Sequence, residues 1–364
     1  MDAYLYLIPL AVAFGVSALM TPLVKRLAIS VGITDHPSER SINHRPNMPL
    51  LGGMAVGLGF AVGLAVAIRQ IEPVLPAGHL FALALGGALI LATGIYDDRF
   101  GMNAWAKFSV QIVAAVLAIR FGYQIDHFTE PFFHTSFVLP MWLSWAVTIL
   151  WIVAITNAIN LVDGLDGLAV GVAAIIVATL TFLAAQAGEV FGVCMGVAML
   201  GALLGFLPFN FAPARIFLGD TGALFIGYVL SLLALEGYRQ VTLLTFVVPV
   251  LALAVPILDT TLSVVRRLLN HSRIFNADRL HMHHRMLESV GSARSAVLQL
   301  YILTAAFCLI SLAFFKLAGY MALFFLAVVA FLTYRLVKNL GVLATTKNSA
   351  ASGERSLNSR KGEP

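Results

Sequence analysis

Long apolar runs separated by short polar connections follow one another along most of the chain. Eleven of these runs approach the roughly twenty residues with which a helix crosses about 30 Å of hydrocarbon. They carry little period-2 alternation, which argues against a transmembrane β-barrel, and in lipid a helix satisfies its own backbone groups. The predicted helix cores are residues 4–24, 51–68, 80–96, 106–120, 141–159, 168–186, 190–208, 222–235, 243–264, 297–315 and 319–336.

Composition agrees with this pattern. The 364 residues are 60% hydrophobic and 11% charged, whereas an ordinary soluble domain has about 25% charged residues. We therefore predict an all-α, polytopic integral membrane protein with about 11 transmembrane helices. Residues 1–337 form the predicted membrane domain, and the polar residues 338–364 a disordered tail. Cys194 and Cys308 lie inside apolar runs and indicate neither a disulfide nor a metal site.

The basic residues predict the orientation of the helices. When the connections are assigned alternately to two sides, 19 of the 23 Lys and Arg residues fall on one side. Because cytoplasmic loops collect Lys and Arg, that side is predicted to be the cytoplasm. The N-terminus is then outside and the C-terminus cytoplasmic, which requires an odd number of spans. The other side receives only Arg69, Arg120, Arg239 and Lys316.

Aspartates collect on the predicted cytoplasmic side, at helix ends and in loops. Taken alone, pairs such as Asp97 and Asp98 are also compatible with a solvated helix end. Together they fit a Mg²⁺ site, because Mg²⁺ prefers one or two carboxylates plus substrate phosphates. Glycine flanks most of these acids, and we expect it to let the backbone approach a ligand closely. The acids are Asp35, Asp97, Asp98, Asp163, Asp166, Asp220 and Asp278, and the glycines Gly94, Gly101, Gly164, Gly167, Gly219 and Gly222.

A basic segment, residues 266–287, carries the pattern "HMHH". Zinc is disfavoured there, because the segment has no suitable cysteine and its arginines would repel a cation. Phosphate recognition fits better, since arginine and histidine both donate hydrogen bonds to phosphate oxygens; Arg279 and Arg285 are the candidates. A positive-inside anchor would explain Arg266 and Arg267, but not three histidines within four residues. Mg²⁺ ligands and phosphate donors at one membrane surface indicate a nucleotide-activated substrate meeting a lipid phosphate.

Four motifs, in this order, resemble one enzyme family: "YDDR", "NLVDGLDGL", "IFLGDTGAL" and "DRLHMHHRML". The family is the polyprenyl-phosphate N-acetylhexosamine-1-phosphate transferases, or glycosyltransferase family 4, and the resemblance covers roughly residues 1–336. The elements "MPLLGG" and "HMHHRML" resemble the branch with simpler donors, typically UDP-GlcNAc (WecA/TagO-like). The muramyl-pentapeptide branch (MraY) usually carries "PTMGG" and an "HHHFE"-like element, and ten spans instead of eleven.

The resemblance implies a reaction. An oxygen of undecaprenyl phosphate attacks the β-phosphorus of a UDP-N-acetylhexosamine, UMP leaves, and a lipid-diphosphate-sugar forms as the first intermediate of a cell-envelope polysaccharide, such as lipopolysaccharide O-antigen or a cell-wall polymer. It implies Mg²⁺ as cofactor, with Mn²⁺ as a substitute, and an active site on the cytoplasmic face of the inner membrane. The expected partners are the donor, the acceptor and membrane lipid, with no nucleic acid; a homodimer is left open.

The resemblance also implies residue roles. The expected metal ligands are Asp220 and Asn160. Asp97 and Asp98 would handle the acceptor phosphate, with Asp97 as the candidate base. The expected nucleotide contacts are Asp163, Asp166, Asn210, Phe217 and Arg45. The expected diphosphate contacts are the catalytic histidines His281, His283 and His284, which stand beside the two candidate arginines.

The ninth span contains Pro249 and Pro256, and proline removes a helix hydrogen bond and kinks a span. In relatives this helix is bent and opens a groove to lipid, which implies that the polyprenyl chain lies there; a tolerated membrane proline is the alternative. Asp259 lies about 10 Å of helix inside Arg266. An acid inside a membrane span is a functional candidate, so Asp259 is added to the substrate-binding set.

Two other functions stay open at this point. The first is a phospho-N-acetylmuramoyl-pentapeptide transferase. The second, from a different class, is a membrane transporter, whose polar residues would cluster near the midplane on broken helices. Here the polar residues lie at the predicted cytoplasmic ends, and Asp259 alone goes deeper.

Overall fold

The computed structural model describes residues 4–35, 47–71, 77–129, 136–236, 243–269, 282–315 and 319–339. These residues are mostly helical, with two short antiparallel pairings, β1 (Thr34–Asp35) with β2 (Met48–Pro49) and β3 (His127–Thr129) with β4 (Ser136–Val138). The helices are α1 (Tyr4–Ser30), α2 (Gly52–Ile71), α3 (Ala77–Phe81), α4 (Gly87–Phe100), α5 (Ala104–Arg120), α6 (Met141–Val162), α7 (Leu168–Ala187), α8 (Val190–Asn210), α9 (Gly219–Glu236), α10 (Leu243–Ala252), α11 (Ala254–Leu269), α12 (Met282–Val290), α13 (Ala293–Phe315) and α14 (Gly319–Asn339).

Every predicted helix core falls on helical structure. Within the described residues, eight helices are long and apolar enough to cross a membrane. The remaining predicted cores correspond to the shorter α5, to the divided pair α10 and α11, and to α14. The prediction of an all-α polytopic membrane protein is confirmed, while the orientation of its ends stays a prediction. The tail from residue 340 onward lies outside the described residues.

The third span departs from a regular helix. A π-helical turn, Ala82–Gly86, joins α3 to α4. The hydroxyl of Tyr228, on α9, donates to the carbonyl oxygen of Ala82 at 2.9 Å. A Cβ at Gly86 would collide with the Tyr228 side chain, so this position requires glycine. The turn therefore accommodates an aromatic side chain of the central helix.

The ninth span is divided at Leu253, between α10 and α11. Pro256 has no amide hydrogen, so the carbonyl of Ala252 lacks its usual partner within the helix. The thiol of Cys308, on α13, donates to that oxygen at 3.7 Å, and the hydroxyl of Ser311 donates to the carbonyl of Val248 at 2.7 Å. The helix is interrupted between the two prolines, and the thiol of Cys308 supplies a donor to the carbonyl of Ala252 that Pro256 cannot provide.

Helix α9 lies in the centre of the protein, packed against α2, α4 and α6. From Thr221 to Glu236 all its residues are buried. At its C-terminal end, Glu236 accepts a hydrogen bond from the Tyr123 hydroxyl at 2.6 Å and lies 2.5 Å from Nδ1 of His79. Because His79 and Tyr123 are themselves buried and stacked, this cluster fixes one end of α9.

Candidate active site

A cavity of about 450 Å³ opens at the N-terminal end of α9. It brings together most of the described residues that the sequence nominated, although they lie up to about 190 positions apart. Acidic and amide side chains dominate its wall. The lining residues are Asp35, Leu50, Asp97, Asp98, Asn160, Asp163, Gly164, Leu165, Asp166, Asn210, Phe217, Leu218, Gly219, Asp220 and His284.

Glycines allow three helices to meet at this end of α9. A Cβ at Gly53 on α2 would collide with the backbone of Gly222, and a Cβ at Gly94 on α4 would collide with the backbone of Thr221. The expectation that Gly94 and Gly222 admit a ligand is therefore corrected, because they serve close helix packing. The result is that the ends of α2 and α4 lie directly beside Asp220.

The tight turn between α4 and α5 brings Asp97 into contact with a lysine of α5. Gly101, with φ of 71°, ends α4, and the Asn103 side chain caps α5 by accepting from the amide of Ala106 at 2.7 Å. Oδ1 of Asp97 accepts from the amide of Met102 at 2.5 Å. One turn into α5, Lys107 reaches back to the same carboxylate. The turn thus fixes Asp97 and Lys107 together.

Lys107 joins two carboxylates. Its ammonium forms ion pairs with Oδ2 of Asp97 and, at 2.6 Å, with Oδ2 of Asp220. The other oxygen of Asp220 accepts from the amide of Asn160 at 3.0 Å. Asp220 is therefore held from both sides by residues of α5 and α6.

Asp98 points away from Asp97, to the first turn of α9. Its Oδ1 accepts from the backbone amide of Asp220 at 2.8 Å. Its Oδ2 accepts from the backbone amide and from the hydroxyl of Thr221, at 3.1 and 2.6 Å. Two acids that are adjacent in sequence thus have different partners.

Asp163 follows α6 in the turn that leads to α7. Burial, followed by the charges of Asp220, Asp98 and Asp166, raises its pKa to about 8. The cavity holds an excess of carboxylates, and Lys107 directly contacts two of them. Such a site favours an added cation over a further anion.

Asp166 supports the opposite wall. Its Oδ2 accepts from the amide of Ala214 at 2.9 Å, which ties the α6–α7 turn to the loop between α8 and α9. Two side chains of α13 hold the same elements: Tyr301 donates to the carbonyl of Gly167, and Arg294 to the carbonyl of Ala212. Asp166 thus contributes to the shape of this part of the cavity wall as well as to its charge.

Asn210 ends α8 and is 2% exposed. Its Nδ2 donates to the carbonyl of Ile216 at 3.1 Å, and its Oδ1 has no hydrogen-bond partner among the described residues. Phe217, which also lines the cavity, is fixed by backbone hydrogen bonds to Pro49 and Gly52. A buried acceptor without a partner is costly unless a ligand satisfies it.

Of the remaining candidate residues, one lines the cavity and two do not. His284, on α12, lines the cavity. Among the described residues, Asp259 and Arg285 do not line it. Asp259 instead accepts from the amide of Met282 at 2.6 Å, at the start of α12, and Arg285 lies 3.7 Å from Glu288. The carboxylate of Asp259 therefore contacts the start of the helix that carries His284, and its expected substrate contact stays a prediction.

Some predicted residues cannot be placed. Arg45, Arg279 and His281 lie outside the described residues, as does the side chain of His283. Two residues that line or bridge the cavity received no individual role from the sequence, Lys107 and Asp35. A lysine placed ten residues after an acid pair was the available signal for the first. Asp35 stood among the acids of the predicted cytoplasmic side without a role.

Comparisons with known proteins agree on one family. Residues 80–238 match the sequence model described as glycosyl transferase family 4. A probable undecaprenyl-phosphate N-acetylglucosaminyl 1-phosphate transferase of Bacillus subtilis is 41% identical over 302 residues, 82% of each chain. A decaprenyl-phosphate N-acetylglucosaminephosphotransferase of Mycolicibacterium smegmatis is 36% identical over 78% of this chain and 75% of its own. A phospho-N-acetylmuramoyl-pentapeptide-transferase of Lacticaseibacillus paracasei is 30% identical over 77% and 89%.

Proposed function

The chain belongs to glycosyl transferase family 4, and we propose that it transfers N-acetylglucosamine-1-phosphate from UDP-GlcNAc to undecaprenyl phosphate, releasing UMP. The observation that carries this proposal is the meeting of Asp97, Asp220 and Asn210 in one cavity, with a carboxylate pair at one wall and a buried amide acceptor at another. The relatives named for simpler GlcNAc donors are more similar than the muramyl-pentapeptide relative. None of the relatives compared is named as a transporter.

Magnesium fits the donor set. In the described part of the chain no three His, Cys, Asp or Glu side chains are grouped to hold an ion unaided. Mg²⁺ commonly takes one or two carboxylates and fills its remaining positions with water and substrate phosphate oxygens. The carboxylate of Asp220 and the amide oxygen of Asn160 would supply the protein ligands, with Mn²⁺ as a substitute. The ion would neutralise charge on the diphosphate.

Lys107 and Asp97, which lie beside Asp220, would bind and deprotonate the acceptor phosphate. Phosphoryl transfer depends mainly on positioning and charge neutralisation. Lys107 offsets the charge of Asp97 and Asp220 and so reduces their repulsion of two incoming phosphates. Asp97, held by Met102 and Lys107, would take the proton from any monoprotonated acceptor. An acceptor oxygen then bonds to the β-phosphorus, and the bond from that phosphorus to the bridging oxygen breaks, leaving UMP with that oxygen.

The nucleotide would occupy the wall formed by Asn210 and Phe217. The Oδ1 of Asn210 would accept a hydrogen bond from N3–H of uracil, which would satisfy this buried acceptor. The ring of Phe217 offers a face for base stacking. His284, with the other histidines of the same segment, would donate to the diphosphate.

The membrane arrangement follows from the charge pattern. We propose that the cavity faces the cytoplasm of the inner membrane, where UDP-sugars are made, and that the product begins a cell-envelope polysaccharide. The polyprenyl chain would lie along the span α10–α11, which is interrupted at Leu253.

One assay tests the function. Purified protein is incubated with radiolabelled UDP-GlcNAc, undecaprenyl phosphate and Mg²⁺, and organic extraction should recover labelled lipid with an equal amount of UMP. UDP-MurNAc-pentapeptide is run in parallel. Preference for that donor would move the chain to the muramyl-pentapeptide branch. If folded, monodisperse protein releases UMP from neither donor, the proposed function is wrong.

A further inference from the structure

We infer that Asp98 is a positioning residue that caps α9 from a different helix and thereby holds Asp220 in place. This inference rests on the proposed function, because it assigns Asp220 to the metal. It separates Asp98 from Asp97, although adjacent acids at one cavity would ordinarily be given a shared chemical role.

The first turn of a helix has backbone amides without partners inside the helix. A polar residue just before the helix usually accepts from them. In α9 that place is occupied by Leu218, whose side chain has no acceptor. Asp98, at the end of α4, accepts instead from the amides of Asp220 and Thr221. The cap therefore comes from a residue 122 positions earlier in the chain.

The geometry around the cap allows little substitution. Gly219 has φ of 70°, and a Cβ there would lie 2.5 Å from Oδ2 of Asp98. Gly94 lets the two helices approach, as described above. A carboxylate offers about four lone-pair positions, and α9 uses three of them through two amides and the Thr221 hydroxyl. Asp98 therefore has little capacity left for a substrate proton or phosphate.

The amides that donate to Asp98 lie at the N-terminal end of α9, where a helix carries a partial positive charge. The residue whose backbone it fixes is Asp220, whose carboxylate lies between Lys107 and Asn160. Loss of the cap would let the first turn of α9 fray. The ion would then bind a less ordered carboxylate, while the reacting groups themselves stay in place.

Four variants test this: Asp98→Asn, Thr221→Val, Thr221→Ser and the double variant Asp98→Asn with Thr221→Val. The matched control is Thr304→Val, because the Thr304 hydroxyl is buried and, among the described residues, donates to Leu300 of its own helix. Two quantities are measured: the Mg²⁺ concentration at half-maximal rate, and hydrogen exchange of the peptide that covers the start of α9 in metal-free protein.

We expect Asp98→Asn and Thr221→Val each to raise the half-saturating Mg²⁺ concentration, the former on the order of tenfold, and to speed exchange at the start of α9. The rate at saturating Mg²⁺ should fall much less. Thr221→Ser should restore both quantities, and Thr304→Val should leave them unchanged. Because the two side chains act through one contact, the double variant should be no worse than Asp98→Asn alone.

Other results would overturn the inference. If Asp98→Asn abolishes the rate at saturating Mg²⁺ while Thr221→Val matches wild type in both quantities, Asp98 acts on the substrates directly. If Asp98→Asn does not fold, Thr221→Val decides alone, and unchanged exchange at the start of α9 would refute the cap. Absence of a lipid product from the wild-type chain would defeat the proposed function, whereas the exchange measurements would still test the cap.

Discussion

The ammonium nitrogen of Lys107 lies 2.6 Å from Oδ2 of Asp220, across 113 positions of sequence. The same ammonium contacts the carboxylate of Asp97. Two carboxylates on different helices are therefore kept close by a cation that the protein itself supplies. This arrangement explains how a cavity lined by six aspartates can fold before any substrate or ion is bound.

Replacing Lys107 with Met should reduce turnover by about 10- to 100-fold, since a hydrogen bond to a charged group contributes about 1.5–3 kcal/mol. Repulsion between Asp97 and Asp220 would then displace both. Turnover of the folded variant is compared with that of Arg99→Gln, which removes an exposed cation from the same turn region. Equal rates for the two variants would show that the Lys107 bridge has no part in the reaction.

Replacing Asp220 with Asn should abolish most turnover, because the side chain keeps its size but loses the charge that would hold Mg²⁺. We expect Mg²⁺ to raise the melting temperature of the wild type, and the variant should lose this rise. Asp126→Asn is the matched control, since Asp126 is a partly exposed acid paired with His127 away from the cavity. Wild-type Mg²⁺ stabilisation in Asp220→Asn would contradict the ligand assignment.

The stability of the metal-free protein should depend on Asp163. Its pKa in the folded protein is about 8, against an ordinary value of 3.8. The folded state therefore holds this proton more tightly than the unfolded chain does, and this stabilisation is lost as pH rises from about 4 through 8. Melting temperature measured in EDTA should fall over that interval, and Asp163→Asn, which resembles the protonated acid, should show a smaller decline. An identical decline in wild type and variant would exclude Asp163 as its source.

Replacing Asn210 with Leu should weaken donor binding more than it slows the chemical step. A site that hydrogen-bonds a substrate group loses selectivity when that partner is removed. We expect KM for UDP-GlcNAc to rise by roughly tenfold, the effect of about 1.4 kcal/mol, with a smaller change in kcat. Inhibition by UMP, which contains uracil but no sugar, should weaken in parallel. Unchanged UMP inhibition would place the base elsewhere.

The buried cluster at the C-terminal end of α9 should affect the stability of the fold and leave kcat unchanged. Replacing His79 with Ala leaves the buried Glu236 without one of its two partners and should cost about 2 kcal/mol. Tyr123→Phe removes only the hydroxyl and should cost about 1 kcal/mol. Thermal unfolding in detergent measures both, and kcat per folded molecule should stay at the wild-type value. A large loss of kcat without a change in melting temperature would contradict this division.

Much of the architecture follows from the sequence, because hydrophobic length is a local property. Each run long enough to cross a bilayer became a helix, and the prolines of the ninth span divided it near the expected place. The acids and Asn210 were also recognisable, since several carry the motifs that mark the family. For Arg45, Arg279 and His281 the sequence remains the only evidence.

The sequence did not determine which role each of these polar residues has in the folded protein. Asp97 and Asp98 are neighbours with the same side chain, yet one pairs with Lys107 and the other caps α9. Asp259, a candidate for substrate contact, contacts the start of α12. These roles depend on which helix ends meet, and that is set by close packing at glycines such as Gly53 and Gly94, between residues more than a hundred positions apart. Local hydrophobicity decides where helices form, but only their packing decides which polar groups face one another.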